Sequence, residues 1–196
     1  MHYICNELKG KEILITKYKI IKNMSWIIYL VLASFALYLS YNFAALSLFG
    51  TPKSLSQTYY EFKSRKSWQR FLFPIMMVGM GFLLMPAWLE ISEGSNFMFT
   101  AFLAAAGIIF TGTAPAFNRS DLENKVHTGS AIFAAVFALL WIILVAKLWW
   151  FILVWAVMVA LIAVLTGTLK SGLVYWLETV AFLSTFTAII AHFVTL

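Results

Sequence analysis

Long apolar runs follow one another from Ser25 to Leu196, and they limit what this chain can fold into. About 20 consecutive apolar residues are needed for a helix to cross a bilayer. Continuous apolar runs exclude a membrane β-barrel, because barrel strands alternate apolar and polar residues. The sequence therefore predicts an all-α fold, a polytopic bundle of six transmembrane helices. The predicted spans cover residues 25–49, 70–89, 97–117, 129–146, 148–167 and 172–195.

Composition and charge agree with a membrane protein. Hydrophobic residues make up 62% of the 196 residues and charged residues 11%, whereas soluble domains average roughly 45–50% and 25%. The net charge of +6 comes mainly from basic residues beside the spans, where loop placement and anionic lipids explain it better than nucleic acid does. The single cysteine, Cys5, excludes an internal disulfide.

The chain divides near residue 24 into two parts. Residues 1–24 contain five Lys, and we expect them to be disordered, to lie on the membrane surface, or to precede a native start at Met24. Residues 25–196 form the predicted six-helix transmembrane domain. Within it, the apolar stretch 129–169 is twice the length of one span and is broken only by Lys147, so we predict a tight hairpin there.

The basic residues segregate among the predicted loops. Loop one (51–69), loop three (118–128) and loop five (168–171) share one side of the bundle. With Arg70 at the edge of loop one, they carry eight basic residues, whereas Lys147 lies opposite. The positive-inside rule places these three loops in the cytoplasm. The eight residues are Lys53, Lys63, Arg65, Lys66, Arg70, Arg119, Lys125 and Lys170.

Loop one has a helical pattern of its own. Ser54 and Gln57 have the spacing of a capping box, and Leu55, Tyr59 and Phe62 then recur on one face. We predict a short amphipathic helix at 54–66, after the first span, with this face against lipid or against the bundle.

Polar side chains cluster at the same end of the predicted bundle. Glu178 is the only acid well inside a span, about 10 Å deep, where a charged group is costly. Other polar groups approach it from loops one and three and from the first and third spans. The predicted ligand-binding residues are Asn42, Ser54, Tyr59, Thr111, Asp121, His127 and Glu178.

Each of these residues also has a purely structural interpretation. A protonated Glu178 forms hydrogen bonds between helices, and a neutral His127 caps its loop at a helix start. Asp121 pairs with a neighbouring basic residue in water. Gly79 and Gly81, with 104–107 in the third span, are typical of close helix packing.

A family resemblance extends over residues 25–196. Its motifs are Pro52-Lys-Ser-Leu-Ser56, then Gly112-Thr-Ala-Pro-Ala-Phe117, then Asp121 and Val126-His-Thr-Gly-Ser-Ala131. This order resembles bacterial six-helix membrane proteins related to the DRAM, FRAG and Sfk group, a family without an established reaction. The resemblance implies recurring polar positions at Pro115, Asp121 and His127, and a multi-pass location in the bacterial cytoplasmic membrane. The family usually has Arg after the polar residue of the last span, whereas Thr179 follows Glu178 here.

Three functions are compatible with this pattern. The preferred one is a non-enzymatic protein whose inner-leaflet pocket binds a lipid headgroup or small ligand. The second is an intramembrane lipid hydrolase using His127, Asp121 and Glu178, and the third is a transporter or pore with Glu178 as its ion or proton site. The sequence predicts no cofactor and no metal site. Membrane lipids are the expected partners, nucleic acid is not, and a homo-oligomer is left open.

Overall fold

A computed structural model describes residues 2–114 and 121–195, with side chains from 26 to 114 and from 121 to 194. The described residues form seven α-helices. The bounds are α1 His2–Phe49, α2 Thr58–Arg65, α3 Leu72–Ile91, α4 Met98–Thr113, α5 Asp121–Trp141, α6 Trp150–Leu165 and α7 Leu173–Thr195. A 3₁₀ turn, Ser67–Phe71, leads into α3.

Four helical segments are long and apolar enough to cross a membrane. They are Trp26–Phe49, Ser67–Ile91, Asp121–Ala146 and Leu173–Val194. Four of the six predicted spans therefore coincide with segments of spanning length. The other two predicted spans, α4 and α6, are apolar helices of 16 residues each, which extend about 24 Å against a hydrocarbon core of about 30 Å.

The first helix continues without a break through residue 24. A change of secondary structure therefore does not mark the predicted boundary between 1–24 and 25–196, and that division stays a prediction. The apolar part of α1, Trp26–Phe49, is the segment of spanning length.

The apolar stretch 129–169 is divided into two helices at Lys147, as its lone charge predicts. A π-helical turn, Ile142–Ala146, ends α5, and Lys147 then adopts a left-handed conformation with φ 57°. This conformation ends a helix, because it directs the backbone away from the helical path. Trp149 and Trp150 follow with exposed side chains, and α6 then packs against α7, so a tight hairpin of α5 and α6 at the membrane surface stays a prediction.

Helices α1, α3, α4, α5 and α7 pack around the core, whereas α6 packs against α7 at the periphery and buries only Val159 and Ala163. Small residues allow the close approach that the sequence predicts. A Cβ added at Gly81 would lie 2.6 Å from Ile109 of α4, and one added at Gly107 would lie 2.8 Å from the backbone of Ala134 in α5.

Loop one folds inward onto the bundle. Leu55, Tyr59 and Phe62 of the predicted apolar face are all buried, and Phe62 packs edge-on against Phe49 of α1. The prediction placed the start of the helix too early, because α2 begins at Thr58 after a turn over 55–57. Ser54 still accepts a hydrogen bond from the Gln57 amide at 3.1 Å.

The inward packing of α2 partly buries the carboxyl group of Glu61. Burial raises the pKa of its carboxyl above the ordinary value, and its Oε2 atom is buried without a hydrogen bond to the described residues. A raised carboxyl pKa means that the folded state binds the proton more tightly than the unfolded state. Stability from this residue is therefore present below its ordinary pKa and decreases as pH rises through the raised value.

We expect Glu61→Gln to raise the unfolding temperature at neutral pH and to reduce its dependence on pH in the weakly acidic range. Glu90, which is exposed at the far end of α3, provides the matched control, and Glu90→Gln should change neither. Thermal unfolding in detergent across this pH range measures both effects. A lower unfolding temperature for Glu61→Gln at neutral pH would contradict the account.

Candidate functional site

The segment 51–56 of loop one is fixed across the first turns of α7. The Tyr175 amide donates a hydrogen bond to the Lys53 carbonyl at 3.1 Å, and the Leu55 amide donates one to Oε2 of Glu178 at 2.7 Å. Gly172 allows the contact, because a Cβ there would lie 2.9 Å from Thr51. The side chain of Glu178 therefore holds loop one by binding the backbone of that loop.

A second set of hydrogen bonds connects the same loop to α1. The Thr58 hydroxyl donates to the Leu55 carbonyl and is also hydrogen-bonded to the Tyr41 hydroxyl. Since threonine has only one hydroxyl proton, Tyr41 is the donor to Thr58. Both polar backbone atoms of Leu55 are thus occupied, the carbonyl on the α1 side and the amide on the α7 side.

Asn42 joins α1 directly to α7. Its amide nitrogen donates to the Tyr38 carbonyl at 2.9 Å, and its side-chain oxygen accepts a hydrogen bond from the Tyr175 hydroxyl at 3.2 Å. Both groups are buried, where an unpaired amide would cost about 1–3 kcal/mol. Asn42 therefore has a structural role beneath loop one.

His127 lies at the same end of the bundle on α5. Its ring is 6.2 Å from the ring of Phe73 at the start of α3, which places the starts of α3 and α5 together. Nδ1 is 2.9 Å from the Ala114 carbonyl, and because a carbonyl only accepts, this nitrogen carries the proton. The contact fits the predicted capping role.

A cavity of about 60 Å³ lies below loop one, between α3, α4, α5 and α7. We call it the Glu178 cavity. Its volume is several times the roughly 10–15 Å³ that one water requires, and well below the 150 Å³ of a cavity that binds benzene. Its lining residues are Leu55, Ser56, Phe73, Met77, Leu84, Trp88, Ile108, Thr111, Ala131, Ala134, Ala135, Ala138, Glu178, Ala181, Phe182 and Thr185.

The predicted site residues take different places around this cavity. Thr111 and Glu178 line it, and Ser54 is hydrogen-bonded to the lining residue Ser56 at 3.0 Å. The Thr111 hydroxyl also lies 3.0 Å from the Ser130 hydroxyl, which donates to the His127 carbonyl. His127 itself does not line the cavity, and Ser130 connects its backbone to the lining residue Thr111. Ligand binding by any of them stays a prediction.

Three further predicted site residues do not line the cavity: Asp121, Tyr59 and Asn42. Asp121 is exposed at the first residue of α5, six positions before the buried His127, and six helical steps turn the side chain to a different face. Tyr59 is buried beside the ring of Tyr60. Asn42 lies within the hydrogen bonds between α1 and α7.

The sequence did not single out several residues that shape the site. Tyr41, Thr58 and Tyr175 form its hydrogen bonds, and Ala131, Ala135 and Ala181 contribute small side chains to the cavity. The only available signal was helical spacing, because Tyr175 precedes Glu178 by three residues and shares its face. Aromatic residues near helix ends are equally typical of the membrane interface.

The described residues offer no group of three or more His, Cys, Asp and Glu arranged to hold a metal ion. Most polar groups of the Glu178 cavity are hydrogen-bond acceptors, but the lining residue Trp88 has a buried indole N–H, a donor, without a hydrogen bond to the described residues. Thr111 donates its hydroxyl proton to the Gly107 carbonyl, and Thr185 donates its own to the Ala181 carbonyl, both at 2.8 Å. The lone pairs of these hydroxyls and the Glu178 carboxylate are suited to a ligand that donates hydrogen bonds.

Comparisons with protein families, curated proteins and solved structures found no match to this chain.

Proposed function

We propose that this is a non-enzymatic membrane protein that binds a small ligand or lipid headgroup in the Glu178 cavity and transmits occupancy to loop one. One observation carries the proposal: the carboxylate that lines the cavity also accepts the Leu55 amide at 2.7 Å. A ligand that donates a hydrogen bond to Glu178 competes with or reinforces that bond. Its binding therefore changes how tightly loop one is held.

Loop one is suited to report this change at a membrane surface. Lys53, Lys63, Arg65 and Lys66 are exposed on it, and each Lys or Arg near an anionic surface contributes about 1 kcal/mol of attraction. Releasing or tightening 51–56 would move these charges relative to the lipid headgroups. The proposed role is accordingly to sense or organise membrane lipid.

Native mass spectrometry of the purified protein tests the proposal. We expect a bound molecule to be retained by the native protein and by Glu90→Gln, and to be lost or strongly reduced in Glu178→Leu. Glu90 is the matched control because it is an exposed acid at the opposite end of α3. Equal occupancy in Glu178→Leu and the native protein would overturn the proposal.

We also propose that all six apolar segments cross the membrane, in the multi-pass arrangement predicted for a bacterial cytoplasmic membrane with loops one, three and five inside. The four segments of spanning length and the shared end of α3, α5 and α7 support this topology. The shorter α4 packs between α3 and α5, so burial against protein compensates for its length.

Cysteine labelling measures the topology. In a Cys5→Ser background, single cysteines at Ser64, Asn124 and Lys170, all exposed, should react with an impermeant maleimide from one side only. A cysteine at Glu93, exposed at the far end, should react from the other. Reaction of Ser64→Cys and Asn124→Cys from opposite sides would contradict the arrangement.

The alternative functions have less support. A hydrolase needs His127, Asp121 and Glu178 to converge, whereas Asp121 is exposed and His127 is buried on another face of α5. A transporter with Glu178 as its ion or proton site needs a path through the bundle, and loop one covers the cavity at its near end.

A further inference from the structure

We infer that the ligand of the Glu178 cavity is a membrane lipid with a compact hydroxyl head, and that it reaches the cavity sideways between α5 and α7. This inference rests on the function proposed above and specifies its ligand class and route.

The route from the aqueous end is closed. Leu55 and Ser56 are buried and line the cavity beneath loop one. The hydrogen bonds of Leu55 to Glu178 and to Thr58, and that of Tyr175 to the Lys53 carbonyl, hold this cover on both sides. A water-soluble ligand would have to break several of these bonds to enter.

The side between α5 and α7 is open by comparison. All cavity residues on α3 and α4, such as Phe73, Trp88 and Thr111, are buried, whereas five of the eight on α5 and α7 are partly exposed. Three of the five are alanines, whose side chains fill little space between the two helices. The partly exposed residues are Ala131, Ala135, Glu178, Ala181 and Phe182.

The surface around this opening is apolar. Ile132 and Val136 on α5, and Val174 and Leu177 on α7, are exposed. Within the spans such side chains face hydrocarbon, because lipid is the solvent there. The opening therefore leads to acyl chains, and Glu178, five residues into α7, lies about 8 Å below the helix start, close to the depth of lipid headgroups.

The size and chemistry of the cavity select the head. About 60 Å³ admits a few water-sized groups, so a hydroxyl head fits and the lipid chains remain outside between the helices. The carboxylate and the two threonine oxygens accept hydrogen bonds. A phosphate diester has no proton to donate to these oxygens.

A matched pair of lipids tests the head chemistry without any mutation. Dioleoylglycerol has a free hydroxyl, and its acetylated derivative lacks it. We expect dioleoylglycerol to raise the unfolding temperature of the native protein in detergent, and to bind about tenfold more tightly than the acetylated lipid, because the acetylated lipid cannot donate a hydrogen bond. Equal effects of the two lipids would overturn the inferred head chemistry.

The route is tested with a matched pair of variants on α5. Ala135→Trp fills the opening, and Val136→Trp places the same side chain on the exposed face beside it. Dioleoylglycerol binding should be lost in Ala135→Trp and kept in Val136→Trp. Ala181→Trp, from the α7 side, repeats the test if Ala135→Trp does not fold. Undiminished binding in the folded filling variant would exclude the sideways route.

The outcomes separate this inference from the proposed function. A copurified molecule that requires Glu178 while dioleoylglycerol binding does not depend on its hydroxyl would contradict the inference alone. A copurified molecule that is indifferent to Glu178→Leu would contradict the proposed function itself.

Discussion

Glu178→Leu should lower the unfolding temperature by several degrees and release loop one, whereas Glu178→Gln should preserve both. Leucine removes the acceptor of the Leu55 amide, which is bonded at 2.7 Å. A buried donor left without its acceptor costs about 1–3 kcal/mol, and each kcal/mol corresponds to roughly 2–4 °C in a chain of this size. Glutamine keeps a side-chain oxygen at the same place and can accept the same bond.

Hydrogen exchange at the Leu55 amide distinguishes this mechanism from a general loss of packing. The amide should be protected in the native protein and in Glu178→Gln, and it should exchange rapidly in Glu178→Leu. Amides in the middle of α3 act as the internal control and should remain protected in all three proteins. Continued protection of Leu55 in a folded Glu178→Leu protein would show that another group holds loop one.

Gly107→Ala should destabilise the bundle by about 1–3 kcal/mol, the usual cost of overpacking a core. The added Cβ would lie 2.8 Å from the nitrogen, Cα and Cβ of Ala134. Backbone atoms cannot rotate away as a flexible side chain can, so α4 and α5 must separate. Thermal unfolding in detergent measures the effect.

Gly129 provides the matched control for this substitution. It lies in α5 with nothing within 4 Å of an added Cβ, and alanine favours a helix over glycine by up to about 1 kcal/mol. Gly129→Ala should therefore leave stability unchanged or raise it. Equal destabilisation by the two substitutions would show that α4 and α5 are not closely packed at Gly107.

The sequence predicted the long helices and the break at Lys147, because hydropathy and isolated charges determine these features. The apolar runs predicted the positions of the long helices, and the lone Lys147 predicted the break between α5 and α6 because a charge interrupts an apolar stretch. The close packing at Gly81 and Gly107 was also predictable, because small residues within apolar helices are typical of helix contacts.

The candidate site was less predictable, because it depends on which helix faces meet. The spacing of Leu55, Tyr59 and Phe62 shows an apolar face but does not distinguish lipid from protein as its partner. Helix α2 starts at Thr58, and the Leu55 amide before it bonds to Glu178, 123 residues away, a tertiary contact that the local sequence does not indicate. Tyr41 and Tyr175 carry no local signal of their tertiary hydrogen bonds.

Carbodiimide labelling of the carboxyl groups, mapped by mass spectrometry, tests the central claim most directly. Apolar dicyclohexylcarbodiimide partitions into lipid, whereas a charged, water-soluble carbodiimide does not. If Glu178 faces a cavity that opens to hydrocarbon, the apolar reagent should modify Glu178, and the charged reagent should modify exposed Glu90 and Glu93 but leave Glu178 intact. Modification of Glu178 by the charged reagent, or its resistance to the apolar one, would contradict the account.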